Sequence, residues 1–375
     1  MRLLFTLVVL GALLSACSEK QAFKLESETN IFKQNEPKYA RKIDILWVID
    51  NSGSMQNSQQ NLAKNFDSFI SSFIGRNLDF QMAVTTTEAY KDLYVVDPMT
   101  EESGFSDLRD GNEIDGPSGH SIVNQNTPDL KANFLSNILQ GIMGAGDERP
   151  FQSIVATLDN ANNDGFLREG SFLAVIIVSD EDDFSHDGKD SIGGQYSNPE
   201  LHVSDDYYQY LDDLTRGDSL LTMFSVSAIA IPDKSCLDNL IGSGGGQKIG
   251  QRLMELVDKT QGIIGDICSD FSKSLKDISG KILSLATQFP LNRTPDVKTI
   301  VVKVDGSIIP RDNENGWSYN TDSNSIIFNG EAIPNQGAEI KVDFTPITAR
   351  PKIDKDDEDE EDNEDDEDDD DDDDD

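Results

Sequence analysis

Asp50, Ser52 and Ser54 are the residues of this 375-residue chain whose types and spacing most directly suggest chemistry. One carboxylate and two hydroxyls at alternate positions, with Gly53 between the serines, put three hard oxygen donors on one tight turn. Such a set suits a small hard cation. Mg²⁺ takes oxygen ligands in near-octahedral geometry and keeps several waters, and Ca²⁺ or Mn²⁺ accept the same donors. Nucleophilic catalysis finds no comparable foothold, because no Ser, Cys or Thr stands with a His in a recognisable pattern. No cysteine lies in CxxC or Cys/His spacing, so zinc is not indicated.

The element before these residues must hold them in place. Ile43 to Ile49 ends in the apolar run Ile45-Leu46-Trp47-Val48-Ile49. A continuous run of this length reads as a strand buried on both faces of a parallel sheet. In open α/β sheets, ligands bind where the carboxyl ends of the strands meet the loops. Asp50-x-Ser52-x-Ser54 after such a strand resembles the metal-ion-dependent adhesion site of the von Willebrand factor type A (vWA) fold. That resemblance implies a second element, a strand ending in a small residue and an acid. Val178-Ser179-Asp180, closing the apolar stretch Ser171 to Val178, matches it, and Asp180 takes the role of a metal contact.

The family also supplies a Thr from a middle loop that precedes a helix. Here that loop reads Gly146-Asp147-Glu148-Arg149-Pro150 and has no Thr, so Glu148, with Asp147 behind it, is the candidate replacement. An extra carboxylate neutralises the cation and weakens its pull on an acidic side chain from a partner. Thr85, Thr86 and Thr87 read as ordinary strand-end residues. Asp180-Glu181-Asp182-Asp183 is more acidic than one Mg²⁺ needs; it either holds a second cation such as Ca²⁺ or pairs with Arg149 or Arg168. His186 reads as a surface residue.

Around these positions the chain alternates strand and helix from 41 to 290. Helices are expected over Asn57 to Ile74, Lys131 to Met143, from Pro150 through Leu158, Gln247 to Thr260 and Phe271 to Ala286. Strands are expected at Phe80 to Thr85, Ser171 to Val178 and Leu221 to Ile231. Alternation of this kind implies a doubly wound, mostly parallel vWA/Rossmann-like α/β sheet. Residues 88–130 form a long insertion rich in Asp, Gly, Ser and Asn, with a short strand near Ile122-Val123. After Pro290 the period changes to two. Turn signals at Asp305-Gly306 and Asn329-Gly330 mark a small antiparallel β module over 297–346, with Trp317 and Tyr319 as core.

The ends of the chain look like address and solvent. Arg2, the apolar run Leu3 to Leu14 and then Leu14-Ser15-Ala16-Cys17 resemble the signal and lipobox of bacterial lipoproteins, over residues 1–16. The resemblance implies that Cys17 is acylated and tethered to a membrane through residues 17–40, with the outer membrane favoured if the source has one. Cys236 and Cys268 remain, and an exported chain meets an oxidising compartment, so a disulfide between them is expected. The formal net charge is −39, of which the tail Asp354 to Asp375, twenty acids against one lysine, holds −19 and the rest −20. Residues 352–375 cannot bury surface and are expected to be disordered. So acidic a chain is a poor partner for nucleic acid.

The reading that follows is a lipid-anchored, divalent-metal-dependent protein-binding module of the cell envelope, not an enzyme. Its candidate ligands are Asp50, Ser52, Ser54, Glu148 and Asp180, and its ion receives an acidic side chain from a protein partner. An envelope scaffold is the second reading and a metal-dependent hydrolase the third. One expectation is directly measurable. Alkylation of the exported, unreduced protein followed by mass spectrometry should find no free thiol at Cys236 or Cys268.

Overall fold

The protein is seen in a computed structural model that describes residues 27–33, 42–76, 78–94, 103–112, 116–188, 190–192, 194–217, 221–240, 247–335 and 337–347. The signal segment, Cys17, most of the expected tether, part of the 88–130 insertion and the acidic tail lie outside the described residues.

The chain opens with β1 (Glu28–Lys33), β2 (Ile43–Ile49), α1 (Gln56–Asn65), α2 (Asp67–Ile74), β3 (Phe80–Thr86) and β4 (Ile122–Asn124). It continues with α3 (Leu130–Ile138), α4 (Pro150–Leu158), β5 (Phe172–Val178), α5 (Ser204–Thr215), β6 (Phe224–Ala230), α6 (Lys234–Leu240) and α7 (Gln251–Lys259). Then come β7 (Ile264–Asp266), α8 (Phe271–Ala286), β8 (Phe289–Pro290), β9 (Val301–Val304), β10 (Ser307–Ile309), β11 (Trp317–Asn320), β12 (Ser325–Phe328) and β13 (Glu339–Phe344).

The main sheet is mixed, in the order β4-β3-β2-β5-β6-β7. Its neighbours pair parallel except β4, which runs antiparallel to β3 at the edge. β2 and β5 are buried along their whole length, which explains their unbroken apolar sequences. Successive side chains of a strand point to opposite faces. Ile43, Ile45, Trp47 and Ile49 therefore join one core with residues of α1, α2, α3 and α8. Leu46 and Val48 join a second core with Phe151 of α4, Tyr207 of α5 and Leu253 of α7.

Several elements differ from expectation. The helix expected over Asn57 to Ile74 appears as α1 and α2, separated by Phe66, which keeps helical torsions of φ −56 and ψ −31. Asn65 turns its amide back onto the Asn61 carbonyl at 3.0 Å, a local bond that competes with the helical ladder. α5 and α6 were not foreseen. α5 has few apolar residues to bury, Tyr207 and Leu211, and α6 buries Cys236.

Within the expected tether 17–40, the described residues form β1, which pairs antiparallel with β13 from Glu28↔Phe344 to Lys33↔Glu339. The β module thus has two antiparallel sheets, β1-β13-β9-β10 and β11-β12-β8. The turn between β9 and β10 has Asp305 at φ 48 and Gly306 at φ 81, the two positive values a two-residue hairpin turn requires. Val302, Trp317, Ile326, Ile340 and Phe344 of the module share one continuous core with Ile278 and Ile282 of α8. A small cavity between Phe172 and Phe224, where β5 and β6 begin, and Asn320 and Ser323 of the module places the module at the amino ends of the sheet strands. The expected disulfide is present. Cys236 and Cys268, with Cα atoms 5.6 Å apart, tie α6 to the turn between β7 and α8.

One ion pair fastens the amino end of β2. Asp44 is fully buried, and its carboxylate meets the Arg168 guanidinium at 2.7 Å, while the same guanidinium holds Asp79 at 2.6 Å. Burial raises the Asp44 pKa, and bonds from Ser171 and Arg168 counter it only in part. Removing one partner of a buried pair costs more than the pair itself is worth, about 3 kcal/mol or more. Arg168→Met should therefore lower stability by about 3 kcal/mol in urea unfolding, and Asp44→Asn in the same background should recover much of the loss.

Candidate metal centre

The site is built by the register of two strands. β2 and β5 pair from Ile43↔Phe172 to Ile49↔Val178, and the Asp50 amide extends the ladder to the Val178 carbonyl at 3.0 Å. Asp50 and the pair Ser179-Asp180 thus emerge side by side at the carboxyl ends. Asp50 is fully buried. Its Oδ1 accepts the Ser52 amide at 2.8 Å, and its Oδ2 accepts the Ser179 hydroxyl at 2.6 Å. Ser54 Oγ donates to Asp180 Oδ1 at 2.9 Å and lies 3.3 Å from Ser52 Oγ. Gln59 of α1 steadies the turn, donating through Nε2 to the carbonyls of Asp50 at 2.9 Å and Gly141 at 2.7 Å. Asp50, Ser52 and Ser54 of one turn thus form one hydrogen-bonded cluster with Ser179 and Asp180, more than a hundred residues away in sequence.

Glu148 lies in the loop just before α4, near enough to Asp50 for its charge to act on it. It is 1% exposed, and neither of its carboxylate oxygens has a hydrogen-bond partner. Burial pushes its pKa well up, the charges of Asp50, Glu181 and Glu88 add to this, and the Thr87 hydroxyl is the counteracting neighbour. The adjacent guanidinium gives no relief. Arg149, itself fully buried, pairs with Asp147 at 2.8 Å, lies 4.3 Å from the centre of the Tyr90 ring, and donates to the carbonyls of His186 and Gly188.

The other acids of the cluster show the same stress. Burial, and to a lesser extent the charge of Asp180, raises Asp50 to about 6 against the bonds from Ser179 and Ser52. Burial, then the charges of Asp50 and Asp180, raises Glu181 to about 8. Asp180 is also raised by burial, in spite of Ser54 and Gln247. Among the described residues no lysine or arginine forms an ion pair with Asp50, Glu148, Asp180 or Glu181, since Arg149, Arg168 and Arg252 are engaged elsewhere. The chemistry of these donors, carboxylate and hydroxyl oxygens, is that of ligands to a hard divalent cation, but among the described residues Asp50, Glu148 and Asp180 do not bring their oxygens within ligand distance of one another as a group of three. The set has no nitrogen or sulfur to select a softer metal.

The remaining acids of the 180–183 run do other work. Asp182 Oδ1 accepts the amides of Arg252 and Leu253, each at 3.1 Å, at the start of α7. Burial lifts Asp182 to about 7 against those bonds. Asp183 accepts the Phe151 amide of α4 at 2.9 Å and pairs with Arg252 at 3.2 Å. The expected partners Arg149 and Arg168 are thus replaced by Arg252, and Asp182 and Asp183 serve as helix caps. His186 is not a surface residue: it is 1% exposed, with its ring between the carbonyls of Phe184 and Asp190 at 2.7 and 2.8 Å.

Two contributors are not legible in the sequence. The buried Thr87 hydroxyl, at a strand end, stands near Glu148 and eases its charge without making a hydrogen bond of normal geometry. Glu88 accepts the Asn51 amide at 3.0 Å and the Ala145 amide at 2.9 Å and pairs with Lys91. It thereby joins the Asp50 turn to the 139–148 loop. That loop displays Met143, 84% exposed, while the Gly144 amide donates to the Asn51 carbonyl at 2.8 Å. The 88–130 insertion walls an open cleft beside the cluster, lined by Asn51, Glu88, Asp107, Arg109, Asp110 and Gln140 among others.

No family profile matches the sequence, and no curated protein matches it. Solved structures align with the chain at low scores. The pilus adhesin SpaC from Lactobacillus rhamnosus GG aligns at TM-score 0.39 and 12% identity, over 86% of this chain and 40% of its own. Proximal thread matrix protein 1 from the mussel byssus aligns at 0.36 and 12%, over 68% and 50%. The pilus adhesin RrgA from Streptococcus pneumoniae aligns at 0.30 and 9%, over 84% and 57%. The chain spans 40% to 57% of the lengths of these three chains. At such scores the likenesses say nothing of what it binds.

The crowded acids predict an unusual pH response. Carboxyls raised in the folded state contribute stability at low pH and lose it as pH rises through the folded values, here about 6 for Asp50 and about 8 for Glu181. In chelator, the melting temperature should fall across this window, and Mg²⁺ should restore it. Glu148→Gln should raise the melting temperature of the metal-free protein near its alkaline end. A flat profile in chelator, checked by differential scanning fluorimetry, would contradict the assignment.

Proposed function

We propose that this chain is a divalent-cation-dependent binding module of the vWA type, tethered to the bacterial cell envelope through an acylated Cys17. The observation that carries the reading is Glu148, buried with both oxygens unpartnered beside Asp50, whose charge acts on it. An isolated buried carboxylate is costly, and like-charged neighbours make it costlier. A cation held by Asp50, Ser52, Ser54, Asp180 and Glu148 relieves that cost. It also supplies a Lewis-acidic point at the loop end of the sheet, where an oxygen from a partner can complete its coordination. Mg²⁺ is the first candidate, with Ca²⁺ or Mn²⁺ as alternatives.

The surroundings suit recognition. Loops on a rigid scaffold commonly carry binding residues, and the 139–148 loop, tied to Asn51 through Gly144, and the described part of the insertion lie beside the centre. The central position of β2 between β3 and β5 agrees with the vWA reading. The Cys236–Cys268 disulfide agrees with an oxidising compartment. Asp182 and Asp183, which a second ion would need, are engaged as helix caps.

The test is retention of envelope proteins on immobilised wild type and Asp50→Ala, each with Mg²⁺ and with chelator. Retention should need both the ion and Asp50. Asp50→Ala should melt no lower than the metal-free wild type, since the mutation removes one of several mutually repelling acids. Retention indifferent to both chelator and mutation would refute cation-dependent binding.

A further inference from the structure

We infer that the outward face of the sheet β1-β13-β9-β10 rests on the lipid surface of the membrane that holds the anchor. The inference rests on the acylated Cys17 of the reading above and goes beyond it, to the side of the folded part that meets the lipid.

The register defines the face. Directly paired residues of neighbouring antiparallel strands stand on the same side of a sheet. Ile31 pairs with Lys341, Lys341 with Lys303, and Lys303 with Ile308, so four strands contribute to one row. At about 4.8 Å between strands the row is about 14 Å wide. The opposite side of the sheet, with Val302, Ile340 and Val342, lies in the core shared with α8. The row is turned away from that core. Ile308 is 70% exposed and Ile31 55%, and Val301, two residues from Lys303 on the same side, is 38% exposed.

The composition of the row suits a headgroup layer. Two isoleucines flank two lysines. Like charges directly opposite each other are unfavourable, and the acid that both lysines meet, Asp343, lies at 3.5 Å from Lys303 and 4.0 Å from Lys341. Lipid phosphates over the two ammonium groups would relieve that opposition. The isoleucines would then reach past the headgroups, as apolar side chains beside basic ones do at a membrane interface.

The position of the anchor brings lipid to this face. Ten residues, 18–27, separate Cys17 from Glu28, where β1 begins. Fully extended, the connection reaches at most about 40 Å. It enters the face's own edge strand, since β1 borders the sheet. A contact that is weak by itself is strengthened by such a tether, which keeps the face at high local concentration over the lipid. The help is needed, because the acidic tail follows β13, whose Phe344 pairs with Glu28, and lipid phosphates repel it. The module stands at the amino ends of the main sheet strands and Asp50 at a carboxyl end. The contact therefore leaves the candidate centre clear of the lipid.

The experiment places the lipidated full chain in phosphatidylethanolamine–phosphatidylglycerol vesicles, with one spin label at Ile308→Cys or at Met143→Cys. Power saturation compares oxygen, which concentrates in lipid, with a water-soluble nickel chelate. The Ile308 label should be severalfold more open to oxygen and severalfold less open to nickel than the Met143 label. In the background Lys303→Glu with Lys341→Glu, the Ile308 label should become as open to nickel as the Met143 label while the chain stays on the vesicles. An Ile308 label as open to nickel as the Met143 label in the unaltered background overturns the inference. So does an Ile308 label shielded from both reagents, which would mark a protein contact, such as a second copy, on this face. Mass spectrometry finding no acyl group on Cys17 defeats instead the anchor on which the inference rests.

Discussion

Everything at the centre depends on one constraint, the register of β2 against β5. With Ile49 opposite Val178, the strands end together and their next residues, Asp50 and Ser179, meet. A slip of one residue would turn every side chain of a strand to the other face. Trp47 would leave the core it shares with Phe69 and Phe134, whose rings lie 5.0 and 5.6 Å away. The apolar packing of both faces therefore sets the positions of the acids. Acids could not choose this register themselves, since bringing Asp50 and Asp180 together is unfavourable without a cation.

The protein manages its buried charges in two different ways. Where the role is structural, every acid has a donor: Asp44 has Arg168, Asp182 has the first amides of α7, and Asp183 has Arg252 and the Phe151 amide. Around the centre, hydroxyls, one backbone amide and the Gln247 side-chain amide satisfy Asp50 and Asp180, while neither oxygen of Glu148 has a hydrogen-bond partner. The arginines are present but are anchored to other partners. That division of labour separates the acids that hold loops onto helices from the acids left without a cationic partner.

The strands that build the centre were legible because they are buried on both faces and so lack polar interruptions. The hairpin at Asp305-Gly306 was legible from turn chemistry, and the disulfide from the number of cysteines left in an exported chain. The residues of the DxSxS turn announced themselves by type and spacing. Other features depend on distant partners that a local pattern does not encode. Asp182 and Asp183 looked like spare metal ligands because the helix amides they cap come from residues 151 and 252–253. His186 looked exposed because its burial comes from carbonyls of its own loop. The isolation of Glu148 is a property of what fails to reach it. β1 was missed for a simpler reason. Its exposed Ile31 and its buried Asn30, which accepts the Asn292 amide at 3.2 Å, reverse the usual apolar-in alternation.

That same strand sets the order in which the molecule can be completed. β1 is the first element described and pairs with β13, the last, and Thr29 bonds Asp343 across 314 residues. A ribosome or an export channel delivers β1 long before its partner exists, and contacts of such sequence separation form late. During that interval the α/β sheet can close on its own local contacts, while β1 waits with its ladder unpaired. A waiting strand edge is a site for wrong pairings. Glu28, Lys33 and the polar Thr29 and Asn30 make this segment a poor template for them. The weak hydrophobic signal that hid β1 in the sequence is thus what keeps it harmless until β13 has been made.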